Sequence, residues 1–142
     1  MARIRKPLAG RSIDGTVNMW MFTPEGLFSC TEHPKDTDYI QVRARRKLHL
    51  LNLIKRVDDE CDYDKSLLIT NPIKDYEYRF LVKKDVFSTW MERIGDTIDY
   101  PNFKSEATRV HGWDDEYVKM LGRIWHEGME TLGENQEYYF TQ

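Results

Sequence analysis

The sequence predicts an α+β fold: a two-layer sandwich, roughly ferredoxin-like, in which an antiparallel sheet of about five strands packs against two or three helices. Two observations predict it. Several short segments alternate apolar and polar residues, as half-buried strands do, while others repeat apolar residues at helical spacing. The segments follow the order β-β-β-α-β-β-α-α, which lacks the regular alternation of a parallel sheet. At 142 residues the chain fits one domain.

The composition is that of a globular protein, with 40% hydrophobic and 13% aromatic residues. A net charge of −3 argues against general affinity for nucleic acid, although a local patch can still bind phosphate. Two cysteines, Cys30 and Cys61, are too few for a disulfide framework or a four-cysteine metal site, so free thiols are expected. No apolar run is long enough to span a membrane. We therefore expect a cytoplasmic protein without membrane association.

Residues 1–18 are predicted to form a flexible basic arm, and residues 19–142 a single domain. The arm carries four basic residues and one acid, and it lacks a periodic apolar face. Two interpretations remain: an arm that contacts an acidic or phosphate-bearing partner, and a terminal extension without a role.

The first three predicted strands are Met19–Thr23, Leu27–Thr31 and Tyr39–Arg45. The turn residues Pro24-Glu25-Gly26 predict that the first two form a hairpin. Because Met19–Phe22 is apolar throughout, we expect both faces of the first strand to be covered, which indicates a central position in the sheet. The third strand alternates, so Arg43 and Arg45 share its polar face.

The remaining strands are predicted at Ser66–Thr70 and Asp75–Lys84, where Tyr76, Tyr78, Phe80 and Val82 lie on one face and Arg79 on the other. The first helix has its apolar stripe over Leu50–Val57.

The second predicted helix has Asp85 as its N-cap and ends near Ile98 or Asp99, with Ile98 in its apolar stripe. The third is capped by Asp114 and ends at Gly133, and its stripe includes Trp125, which we expect to be buried.

No complete catalytic or cofactor motif is present, and the sequence predicts no cofactor, no metal site and no identifiable catalytic residue. His126-Glu127 lacks the second histidine of a zinc helix. The acidic run Asp58–Asp64 offers oxygen ligands of the kind Ca²⁺ binds, but it lacks the EF-hand spacing, so a solvated loop is the favoured interpretation. Cys30 lies among apolar strand residues, which indicates an inert buried thiol.

One group of residues does suggest a binding surface, because arginine forks match carboxylates and phosphates and tyrosine rings add stacking area. The candidates are Arg43, Arg45, Tyr78, Arg79, Asp99, Tyr100, Asn102 and Lys104. The alternative is an ordinary polar face on which the arginines pair with Asp75, Glu77 and Asp99. If Tyr78 belongs to the core, the group is divided between the two faces of the sheet.

Four segments occur in an order that resembles a known pattern: Met19–Ser29 (W-x-F-T-x-x-G), Val42–Arg45 (V-R-A-R), Asp75–Arg79 (D-Y-x-Y-R) and Asp99–Lys104 (D-Y-P-N-F-K). They resemble a family of small bacterial and phage proteins usually labelled hypothetical, and the similarity covers about Met19 to Leu132. The family has no established activity, so the resemblance implies no catalytic residue. It implies a bacterial or phage origin.

The favoured hypothesis is a bacterial or phage accessory protein that binds a macromolecular partner through the Arg/Tyr-rich surface. One alternative is a small enzyme or sensor that binds a phosphate-bearing ligand such as a nucleotide. Another is a homodimeric structural protein. The small ligand would be favoured by a pocket that holds the cations Arg43, Arg45, Arg79 and Lys104 beside Asp99 or His111. A flat or convex sheet face would favour the macromolecule.

Overall fold

The computed structural model describes residues 18–58, 67–99 and 103–134. Nearly all of the predicted basic arm and most of the acidic run lie outside these residues, and so do Tyr100 and Asn102. The predictions for those segments therefore stay predictions.

Five strands form one sheet in which every neighbouring pair is antiparallel, in the order β1-β2-β3-β5-β4. The strands are β1 (Met19–Thr23), β2 (Gly26–Glu32), β3 (Tyr39–Ala44), β4 (Leu68–Thr70) and β5 (Tyr78–Lys83). Four helices are described: α1 (Lys47–Val57), α2 (Lys84–Asp96), α3 (Phe103–His111) and α4 (Glu116–Leu132). The predicted α+β class with a five-stranded antiparallel sheet is confirmed, with one helix more than expected.

The hairpin between β1 and β2 closes where the sequence predicts it, with Thr23 opposite Gly26. The Thr23 hydroxyl accepts hydrogen bonds from the backbone N–H groups of Glu25 (3.1 Å) and Gly26 (3.3 Å). The predicted central position of β1 is wrong, because β1 is an edge strand. Its apolar residues are partly exposed rather than covered, and Trp20 is the extreme case at 69%.

The principal core lies between one face of the sheet and helices α1 and α2. Along each strand alternate side chains point to this face, since the side-chain period of a strand is two. The sheet contributes Phe28, Cys30, Val42, Ala44, Phe80 and Val82, and the helices contribute Leu50, Leu53, Ile54, Val57 and Trp90. Phe80 and Trp90 stack with ring centroids 5.9 Å apart, which ties α2 to the sheet.

Helices α3 and α4 form a smaller second core around Ala107, Tyr117 and Leu121, with Leu27 of β2 packed against it. The cap of α4 is Asp115, one residue after the predicted Asp114, and its carboxylate accepts from the Tyr117 N–H at 2.8 Å. Gly133 ends the helix as predicted.

Three predictions about helix packing and limits need correction. Trp125 is 67% exposed, because the described structure packs only the N-terminal half of α4. Ile98 is also exposed, since α2 ends at Asp96 and Thr97 is its C-cap. Helix α2 begins at Lys84 with Lys83 as N-cap, and Asp85 instead accepts from the Val86 N–H within the first turn.

Candidate functional site

The face of the sheet opposite α1 and α2 carries the arginines that the sequence singled out. Arg43 of β3 and Arg79 of β5 lie directly opposite each other in the register of the two strands. Arg45 lies one residue after the end of β3, and it lines the same groove as Arg43. Three cationic side chains, two of them on neighbouring strands, therefore converge on one face.

Arg43 and Arg79 are held by neutral partners. Arg43 Nη2 donates to Ser29 Oγ at 2.6 Å, and Arg79 Nη1 donates to Gln41 Oε1 at 3.2 Å. The Nε atoms of both arginines are buried and have no hydrogen-bond partner in the described part of the chain. No ion pair with a described carboxylate neutralises either guanidinium group.

Tyr76 fixes two of these guanidinium groups. The Arg43 and Arg45 Cζ atoms lie 4.8 and 4.2 Å from the centroid of its ring, the distance of a cation–π contact. Tyr76 is buried, and it precedes β5 rather than continuing it, which is why its ring reaches the arginine side. Arg45 also pairs with Asp75 at 3.2 Å.

These residues line an open groove of about 650 Å³, which we call the arginine groove. It is lined by Trp20, Thr31, Glu32, Pro34, Gln41, Arg43, Arg45, Lys74, Asp75, Tyr76 and Arg79. Both of its carboxylates already have a cationic partner, Glu32 in Lys84 and Asp75 in Arg45. The groove therefore presents positive charge in excess, beside the exposed indole of Trp20.

The structure brings together only part of the predicted group. Arg43, Arg45 and Arg79 share the arginine groove. Tyr78 packs on the opposite, helix-covered face, because it lies one residue from Arg79 in an alternating strand. Lys104 is exposed on α3. Tyr100 and Asn102 lie outside the described residues.

Asp99 lines a different cleft of about 680 Å³ between the hairpin, α1 and α3. Two of its cations are paired with carboxylates: Arg56 pairs with the buried Glu25, and Arg109 pairs with Glu106 at 2.8 Å. Arg56 Nη2 also donates to Thr97 Oγ1. Arg56 joins α1 to the hairpin and to the C-cap of α2, whereas the Arg109–Glu106 pair lies within α3, so these four charges are satisfied within the fold.

A histidine cluster joins α1, α3 and α4 to the hairpin. The ring centroids of His49 and His111 lie 5.0 Å apart, and Tyr117 lies 4.8 Å from His49. The Tyr117 hydroxyl donates to the Thr23 carbonyl at 2.7 Å, and His111 Nε2 lies 2.9 Å from the Pro24 carbonyl. No sequence pattern groups these residues, because they come from separate helices.

His49 is buried in this cluster, and its Nδ1 accepts from the Leu27 N–H at 3.4 Å. Burial, helped by the neighbouring His111 and Arg46 and opposed by Asp115, lowers the pKa of His49 to about 4. A side chain at Gly26 would overlap the His49 ring, so the hairpin turn needs glycine there. Burial also raises the pKa of Tyr117.

Within residues 18–58, 67–99 and 103–134, no group of three or more histidine, cysteine or acidic side chains is arranged to hold a metal ion. Cys30 is buried and not in a disulfide, and burial raises the pKa of its thiol to about 12, so it is a poor nucleophile. No described helix is both long and apolar enough to cross a membrane.

Sequence reasoning missed Trp20, Ser29 and Gln41, which belong to the same face as the arginines. The alternating pattern of β2 and β3 was a usable signal for Ser29 and Gln41. Nothing local indicated Trp20, because its strand is apolar at every position from Met19 to Phe22 and the pattern cannot tell an exposed face from a covered one.

Comparison with known proteins gives no matching family model, no similar curated protein and no similar solved structure. The functional argument therefore depends on the geometry of the arginine groove.

Proposed function

We propose that this protein is an accessory binding module whose arginine groove binds a single strand of nucleic acid. In this proposal the guanidinium groups of Arg43, Arg45 and Arg79 contact phosphates, and the indole of Trp20 stacks on a base. The proposal makes the open sheet face the binding surface.

The observation that carries the proposal is the register pair of Arg43 and Arg79. Like charges directly opposite each other on neighbouring strands destabilise a sheet. Each of the two arginines is anchored by a neutral side chain, so the described chain does not neutralise them. A phosphate lying between them would accept from both guanidinium groups and offset their repulsion.

Two further features favour a nucleic acid strand over an acidic peptide. Trp20 is 69% exposed on the rim of the arginine groove, where an aromatic face is available for base stacking. The groove is open along the sheet rather than closed around a small ligand, which suits a polymer that continues past both ends. An acidic peptide would use the arginines but has no need of an exposed indole.

Other parts of the proposal have less direct support. We infer a cytoplasmic location from the ligand class and from the free thiol of Cys30, which suits a reducing compartment. We also propose a bacterial or phage origin, from the resemblance of the four segments described above.

The proposal is tested by fluorescence anisotropy with labelled single-stranded oligothymidylate and its RNA counterpart over a range of salt concentrations. The double variant Arg43→Gln/Arg79→Gln should weaken binding by about tenfold or more. It should also lower the slope of affinity against salt by roughly one unit for each arginine removed. The matched control is Arg123→Gln, which removes an exposed cation from α4 and should change neither quantity.

Failure of the wild-type protein to bind either oligonucleotide would overturn the proposal. Equal loss of affinity in the Arg123→Gln control would also contradict it, because the attraction would then be a property of the whole surface. Two competitors identify other ligand classes: polyglutamate that displaces the strand would point to an acidic protein, and a mononucleotide that binds as tightly as the strand would point to a small ligand.

A further inference from the structure

The outer edge of β1 is open in the described structure: β2 lies on its inner side, and no described strand pairs with its outer side. The strand is Met-Trp-Met-Phe-Thr, without a charge or a proline. Its register with β2 runs through five consecutive residues without a bulge. Met19, Trp20 and Phe22 are 38%, 69% and 37% exposed. An open apolar edge of this kind is a template for another strand.

The opposite edge of the same sheet is protected. β4 has only three residues, so few backbone groups are offered for pairing. Proteins limit edge pairing with very short strands, charged side chains or bulges, and none of these three occurs in β1. The two edges of the sheet therefore differ in how well they can accept another strand.

We propose that β1 pairs antiparallel with β1 of a second copy of this chain, so that two five-stranded sheets join into one. A two-fold axis at Met21 places Trp20 opposite the partner subunit's Phe22, and the same contact forms again on the other side of the axis. Aromatic cross-strand pairs stabilise antiparallel strands. An uncharged strand brings no like-charge repulsion to a contact with itself, which favours a second copy over a charged partner strand.

The dimer enlarges the surface described above. A two-fold axis perpendicular to the sheet leaves both arginine grooves on the same face, with Trp20 of each copy close to the joint. Each protomer thus adds an aromatic residue beside the partner's groove. This consequence rests on the proposed function, whereas the pairing of the strands does not.

The dimer is tested with a charge exchange at the joint. One variant carries Trp20→Lys and Phe22→Lys, and a second carries Trp20→Glu and Phe22→Glu. Each alone should raise the dimer dissociation constant by roughly tenfold to a hundredfold, because it loses the aromatic pairs and places like charges opposite each other. Mixing the two variants should restore a dimer, because each lysine then faces a glutamate.

Native mass spectrometry and sedimentation over a wide range of concentration give the masses, and circular dichroism shows that each variant is folded. The control Thr70→Lys places the same charge on the β4 edge and should leave the wild-type dimer intact. A wild-type protein that is monomeric at every concentration would overturn the inference, as would a dimer that both charge variants retain. A monomer that becomes a dimer when residues 1–17 are deleted would also overturn it, since those residues would then occupy the edge. Because no nucleic acid is present, this result is independent of the binding test above.

Discussion

The two faces of the sheet are built from the same strands but carry different kinds of side chain. On the covered face, apolar side chains such as Phe28 and Val42 are fully buried against α1 and α2. On the open face, the corresponding positions one residue later hold Ser29 and Arg43, joined by a hydrogen bond of 2.6 Å. One face is apolar, and the other carries half-buried arginines among buried polar side chains such as Ser29.

The covered face stabilises the fold, whereas the open face carries the groups that are available for binding. Removing apolar area from water stabilises the covered face in proportion to the area buried. The open face contains an opposed pair, Arg43 and Arg79, that a sheet selected only for stability would avoid. Residues that reduce stability while remaining well ordered are candidates for binding.

The largest change in the free energy of unfolding is expected for a substitution on the covered face. Phe28→Ala should lower the free energy of unfolding by about 3–5 kcal/mol, because it leaves a cavity at a fully buried position. The control is Trp125→Ala on the exposed part of α4. This substitution should change the free energy of unfolding by no more than about 0.5 kcal/mol. Denaturant unfolding monitored by circular dichroism measures both. Similar losses in the two variants would show that α4 is packed over its full length.

A change of pH should have an intermediate effect on the free energy of unfolding. It should act through His49 in the histidine cluster. His49 is neutral in the folded protein, and its pKa falls from 6.5 to about 4 on folding. The unfolded chain therefore binds a proton more readily below pH 6.5, and the free energy of unfolding should fall by up to about 3 kcal/mol as the pH is lowered from 6.5 to 4. Above that window the contribution is constant.

The pH effect is measured by denaturant unfolding across this range. His49→Gln should abolish most of the pH dependence, whereas the control His126→Gln, at an exposed histidine on α4, should retain it. A slope that survives in His49→Gln would contradict the assignment of this proton to His49.

The smallest change in the free energy of unfolding is expected for a substitution on the open face. There the free energy of unfolding should rise rather than fall. Arg79→Met keeps the aliphatic stem and removes one charge of the opposed pair, so it should raise the free energy of unfolding by about 0.5 kcal/mol. Arg123→Met, which removes a charge without an opposed arginine, should leave it unchanged. Thermal unfolding at low salt compares the two. A clear destabilisation by Arg79→Met would show that its hydrogen bond to Gln41 outweighs the repulsion.

The local elements of this fold could be predicted because their signals are local. The turn at Pro24-Glu25-Gly26, the alternation in β3 and the stop at Gly133 each involve a few neighbouring residues, and each lies where the sequence indicates. The limits of α2 and α4 differ from prediction by one to three residues, because neighbouring residues such as Asp114 and Asp115 cap equally well in a sequence pattern.

The candidate site was predicted only in part, because it depends on contacts between distant segments. Arg43 and Arg45 could be assigned to one face from their own strand. That Arg79 lies opposite Arg43 depends on which strands are neighbours, and the sequence does not state the strand order. Tyr76 was expected in line with Tyr78, but the strand begins only at Tyr78, so the ring of Tyr76 turns to the other face.

By itself the sequence determined the class of the fold, the single sheet and the side chains available on its polar face, since these follow from periodicity and turn chemistry. Only the tertiary structure decided that β1 is an edge strand, that the second half of α4 is exposed in the described structure, and that Arg43 meets Arg79. Periodicity tells which residues share a face, but only the packing of distant segments decides whether that face meets a core, a neighbour or water.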